Sequence, residues 1–173
     1  MKIIAHPAPK PLSKSAPKLG LLAAGLLAVL LILQMIGLNK VLPGLSEQFD
    51  GNDGLAIAVT ATALIVEFAA LPFLLRRKLS HLAGLLSGVA AVIAPLIWLL
   101  VVIWSIGEPD TTAAALQFGI AGCFDISWWL LVLNLLWVVF SLYIVRQLNI
   151  DKIWYDATGL KPRSQLKKED HKK

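Results

Sequence analysis

Cysteine is nearly absent: Cys123 is the only one in 173 residues. An intrachain disulfide is therefore excluded, and with it a small scaffold held by bridges. Histidine is scarce too. His6, His81 and His171 fall in separate segments and make no metal-ligand spacing. No histidine pair within an apolar run could hold a haem, and there is no Gly-rich phosphate loop or G-x-S-x-G elbow. Ser, His and Asp form no readable catalytic constellation, so nothing in the chain points to an enzyme, a metal or a required cofactor. Charge is also sparse, at 16% of residues, where a soluble domain carries about a quarter.

Apolar residues fill the space left by these absences. They make up 57% of the chain, and mean hydropathy is +0.73. Residues 19–38 contain no charge, and residues 79–105 contain only His81 as a potential one. Runs of about 18 or more apolar residues read as membrane spans. Four are expected, at about 19–38, 55–75, 82–106 and 126–147. The first is too long for a signal-peptide core of about 7–15 residues and is followed by no A-x-A-like site, so it reads as retained. The fold class predicted is an all-α integral membrane protein, a four-helix bundle over 19–147. A flexible basic head (1–18) precedes it and a basic tail (148–173) follows it. Neither flank is long enough to bury a core of its own.

Charge sets the expected orientation. Of the 16 Lys and Arg, four lie in the head, one (Lys40) in the first loop, three (Arg76, Arg77, Lys78) in the second, none in the third and eight from Arg146 onward. With both termini cytoplasmic, fifteen fall inside and one outside, as the positive-inside rule requires. Glu47, Asp50, Asp53, Glu108, Asp110 and Asp125 then lie in the outer loops, and Trp104, Trp128 and Trp129 form an outer aromatic belt. The net charge of +5 does not indicate nucleic acid, because the cations sit at span ends. The expected partners are the bilayer itself and anionic headgroups, which attract a basic juxtamembrane tail by about 1 kcal/mol per cation. Within that tail, "NIDKIWYDATGL" reads as a short interfacial helix. Asn149 would cap it, Ile150, Ile153 and Trp154 would face lipid, and Gly159 would stop it.

Small and polar residues predict which faces meet. Ala56, Thr60, Ala63, Glu67 and Ala70 share one face of the second span. Ser127, Asn134 and Ser141 share a face of the fourth, with Trp137 beside them. Gly84 and Gly88 make a close-approach pair in the third, serving either a dimer or the bundle itself. Ala24 and Ala28 lie one turn apart in the first. Pro72 and Pro95 lie inside spans and free the carbonyls of Phe68 and Ala91.

Glu67 is the residue out of place. It lies about 3 Å from the middle of its span at about 1.5 Å per residue, where an acid costs a few kcal/mol unless it faces protein or water. By the same arithmetic Asn134 and Ser141 bracket its depth, and Gln34 lies about a turn and a half further out. Three roles fit: a proton or ion relay, a ligand site with Asn134, Ser141 and Trp137, or a structural hydrogen-bond anchor. A relay wants a chain of ionisable groups, and no other lies deep in a span. Cys123, near the outer surface, is either a small buried residue or a thiol that pairs with a partner.

Three stretches carry a family likeness. The first span runs into "GLNKVLPGL", a Gly…Lys…Pro ending. The second holds the acid Glu67 and is followed by "RRKLSHLAG". The third loop ends in "AGCFDISWWLLVLNLL". Over roughly residues 20–145 the chain resembles the DoxX/MauE-like group of four-helix bacterial membrane proteins. The likeness implies a bacterial membrane protein with a link to quinone or thiol redox systems; the expected location is the bacterial inner membrane, and a membrane-protein partner or homo-oligomer is expected there. Lys40, Glu67 and Cys123 are the residues it carries over. Ala121 and Asp125 replace the first cysteine and the glycine of the family's Cys-Gly-Cys-Phe-Gly segment, leaving a lone thiol where the family has two. The resulting expectation is a redox-associated or accessory partner in a membrane complex. A non-redox assembly subunit is the alternative, and a small-solute or proton transporter the third.

Overall fold

The computed structural model describes residues 6–106 and 128–158. Helix α1 (Ala16–Ile36) opens with Pro17 in its first turn, where a missing N–H costs nothing. It ends at Gly37, whose N–H bonds back to Leu33 O at 2.9 Å. A second helix, α2 (Leu38–Gln48), follows at once. The sequence had suggested a loop there. Val41 and Leu45, one turn apart, bury against α3 and α4 while Lys40 and Glu47 stay exposed. This short amphipathic pattern is the signal that a search for long apolar runs passes over.

Asp50 and Gly51 turn the chain at φ 54° and 78°. Asn52 then caps α3 (Asp53–Leu74), its side chain accepting from Leu55 N at 3.0 Å. Helices α4 (His81–Ile106), α5 (Trp128–Gln147) and α6 (Ile150–Thr158) complete the described elements. The four expected spans agree with α1, α3, α4 and α5 to within about three residues at each described edge.

Contacts fix the directions. Gly20 approaches Leu74 while Gln34 approaches Glu67, so α1 and α3 are antiparallel. Phe73 meets Ser87 while Glu67 meets Trp98, so α3 and α4 are antiparallel as well. Helix α3 packs on α1, α2 and α4; α5 packs on α4 and α1. Helices α3 and α5 therefore stand diagonally opposite each other. The outward faces are apolar and uncovered: Leu22, Val29 and Ile32 on α1, Ile57, Ile65 and Phe68 on α3, Leu100 on α4, Leu136 and Val139 on α5. Such all-round apolarity suits lipid, not water.

Inside, the apolar core is split in two. One cluster joins Ala23, Leu27, Ala70, Phe73, Ala91, Ile144 and Leu148. The other joins Val41, Leu45, Ala56, Ala63, Trp98 and Val101. Glu67 falls between them on α3. The whole predicted α3 face (Ala56, Thr60, Ala63, Glu67, Ala70) is buried. Glycines set the tightest approaches. A Cβ at Gly20 would lie 3.0 Å from Leu74 O, and one at Gly88 would lie 2.6 Å from Ile150 Cδ1. Gly84 also faces α6, through Ile153. Within the chain, the Gly84/Gly88 pair thus serves to seat α6.

That docking departs from the expected orientation of α6. Ile153 is buried and Ile150 half-buried against α4, and only Trp154 of the predicted apolar trio is exposed. Asn149 is in the left-handed region (φ 68°), and its side chain donates to Lys10 O at 3.2 Å. It thus serves as a joint between α5 and α6, and its side chain ties down the segment around Lys10. Gly159 lies outside the described residues. Residues 6–12, part of the segment read as a flexible head, lie across this same end. His6 N donates to Leu79 O and Leu12 N to Gln147 O, both at 2.9 Å, while Arg76 Nη2 donates to Pro9 O at 3.1 Å.

Candidate functional site

Helix α3 presents Glu67 to the bundle interior, where it is 1% exposed. Its Oε1 accepts two hydrogen bonds. Trp98 Nε1, on α4, donates at 2.7 Å, and Gln34 Nε2, on α1, donates at 3.1 Å. One carboxyl oxygen thus ties α3 to both of its antiparallel neighbours. The other, Oε2, is buried without a hydrogen bond among the described residues.

The geometry follows from helix direction. Side chains on a helix lean toward its N-terminus. Across an antiparallel pair, Glu67 leans one way while Gln34 and Trp98 lean the other, so they converge. Counting rise per residue at the Cα atoms left Gln34 a turn and a half away because it omitted that lean. Trp98 was missed altogether. Its signal was present: it stands inside its span, short of the outer belt, and a buried indole N–H requires an acceptor.

The residues expected beside Glu67 are placed elsewhere. Asn134 and Ser141 are buried on α5, and Trp137 is half-buried with its ring 5.8 Å from that of Phe140. Asn134 Nδ2 donates to Leu130 O at 3.0 Å, within its own helix, and its Oδ1 is buried without a hydrogen bond among the described residues. Glu67 bonds neither Asn134 nor Ser141. The reason is the diagonal: with neighbouring axes about 9 Å apart, α3 and α5 are separated by roughly 13 Å. Equal depth did not mean contact. Lys40 is exposed on α2. Cys123 and Ser127 lie outside the described residues, as do the side chains of Trp128 and Trp129.

A second polar device was not anticipated. Ser87, buried on α4, donates from Oγ to Ala69 O and accepts from Phe73 N at 3.0 Å. Those two groups are the carbonyl and amide that one turn of α3 would join, beside Pro72. The hydroxyl therefore satisfies the helix where the proline disturbs it. Thr60 is satisfied locally, donating to Ala56 O at 2.8 Å.

Chemically, the centre is a rigid acceptor clamped by two donors. Glu67 is the single ionisable side chain among the buried described residues, and no group of three or more His, Cys, Asp or Glu that could hold a metal occurs among the described residues. Four described helices are long and apolar enough to cross a membrane: Ala16–Ile36, Asp53–Leu74, His81–Trp104 and Leu130–Gln147. Together with the uncovered apolar faces, they point to a multi-pass membrane type of protein, helical throughout its described elements. No family model, curated protein or solved structure matches the chain.

Proposed function

We propose that the chain is a DoxX-like accessory protein of a bacterial inner membrane, acting as a partner in a membrane complex with both termini cytoplasmic. The observation that supports the accessory, non-transporting part of this reading is the clamped carboxyl. Glu67 takes donors from α1 and α4 on one oxygen, which is what a bundle needs to fix three helices. A relay would need further ionisable groups, and none accompanies it in the buried part of the described spans. The outward faces are then what remains for recognition. The family likeness adds the redox association, with quinone as the candidate cofactor and Cys123 as the thiol.

Purification in mild detergent tests the partner reading: a protein retained at fixed stoichiometry supports it, and a chain that elutes alone argues against it. Glu67→Gln keeps an acceptor oxygen for both donors and is expected to leave assembly and partner retention unchanged. Intact assembly with the partner lost would overturn the anchor role. A mixed disulfide trapped at Cys123 in intact cells supports the redox association; its absence leaves the non-redox assembly subunit. A reporter fused at Lys173 should be active only on the cytoplasmic side.

A further inference from the structure

At the basic end of the bundle, four segments converge on one cavity of about 220 Å³. The strap of residues 6–9 forms one wall, the α3–α4 turn a second, the first turn of α4 a third, and α6 the fourth. Arg76, Arg77 and Lys152 line it, together with His6, His81 and Asp156. Its remaining wall is apolar, from Phe73, Leu79, Leu148 and Ile153.

Three permanent cations thus face one carboxylate. That carboxylate is occupied in part: Asp156 Oδ2 lies 4.0 Å from His81 Nδ1. The His6 ring lies 4.2 Å from that of His81. Helix α4 adds the field of its N-terminus, equivalent to about half a positive charge, and Ser80, His81 and Gly84 of that end line the cavity. Arg76 is fixed rather than free. It sits in the left-handed region (φ 54°) as the αL residue of a Schellman turn, with Arg76 N bonded to Phe73 O and Arg77 N to Pro72 O. Its guanidinium is held by Pro9 O. Arg77 and Lys152 are exposed.

The geometry points to a binding site for a phosphate ester carried on an apolar chain, held by Arg76, Arg77 and Lys152. A planar guanidinium matches phosphate oxygens. The apolar wall takes the first carbons beyond the ester. The depth fits as well, because the cavity lies where α3 ends and α4 begins, beside the exposed Leu82 and Leu86 of α4. An acyl chain would continue along that face. This site is separate from Glu67 and requires only that the bundle sit in a bilayer.

The test uses the full chain in a non-ionic detergent. Short-chain phosphatidic acid, short-chain phosphatidylcholine and inorganic phosphate are titrated in turn, with binding read by native mass spectrometry. Phosphatidic acid should bind at least tenfold more tightly than phosphatidylcholine. Arg77→Gln with Lys152→Gln should weaken it by roughly thirtyfold, about two cations' worth. Lys14→Gln with Lys18→Gln removes the same charge outside the cavity and should change it less than threefold. Phosphatidic acid bound while inorganic phosphate is not assigns the source to lipid. Inorganic phosphate bound with the same sensitivity to Arg77 and Lys152 assigns it to free phosphate, and both uphold the site. Equal binding by wild type and the Arg77/Lys152 variant, or equal losses in the two double variants, overturns it.

Discussion

Glu67 is buried and held by donors from two neighbouring helices, whereas Arg77 and Lys152, at the basic end, stand exposed around an open cavity. Both regions collect polar groups that a lipid-facing helix would avoid. They differ in how far those groups are already partnered. In the centre, two donors converge on one oxygen, and loss of that oxygen would strand them in an apolar core. At the basic end, the strap and the Schellman turn tie down the backbone and hold Arg76, but the tips of Arg77 and Lys152 stand exposed. The centre serves stability, and the rim serves recognition. A partnered polar group in a membrane is expected to be sensitive to mutation through folding, and an unpartnered one through binding.

The largest expected effect lies at the centre. Glu67→Leu keeps most of the volume but removes the acceptor for Gln34 and Trp98. It should cost about 3 kcal/mol, read as a large fall in the thermal midpoint of the helical circular dichroism signal in detergent. If the midpoint is unchanged, the contrast between the two regions fails. Trp98→Phe removes one donor and some ring area, and about 1–2 kcal/mol should go with it. Gly20→Ala probes packing without touching either polar group. Its Cβ would press on the backbone carbonyl of Leu74 at 3.0 Å, so a loss of about 1 kcal/mol is expected. An unchanged midpoint would mean that α1 and α3 can shift apart by a few tenths of an ångström without cost.

The smallest stability effect is the sharpest for the comparison, because its sign is opposite. Arg76→Gly relieves a left-handed residue that carries a side chain, which should stabilise the α3–α4 turn by up to about 1 kcal/mol. The same change should weaken phosphatidic acid binding. A variant that loses both stability and binding would show that Arg76 is structural, as Glu67 is.

Much of the fold was legible because apolar runs and their lengths are one-dimensional. The four spans and the buried face through Ala56, Thr60, Ala63, Glu67 and Ala70 follow from spacing alone. Helix α2 was not found, since eleven residues whose buried apolar contacts come from Val41 and Leu45 make no long run. The partners of Glu67 were not found because depth along a span does not say which helices are neighbours. Asn134 had the right depth on the diagonal helix, whereas Trp98 had the right neighbour at an unpromising height. The cavity was beyond reach for a similar reason. His6, Arg76 and Lys152 are distant in sequence, and only the folding of the strap and α6 back onto one end brings them together.

The central claim is that the Glu67 carboxyl holds α4 to α3 through Trp98. A double-mutant cycle with Glu67→Leu, Trp98→Phe and the combined variant measures that bond directly by unfolding in detergent. The predicted coupling is about 0.6–1.7 kcal/mol, with the double variant less destabilised than the two single losses together. Additive losses, with a coupling within about 0.3 kcal/mol of zero, would contradict it.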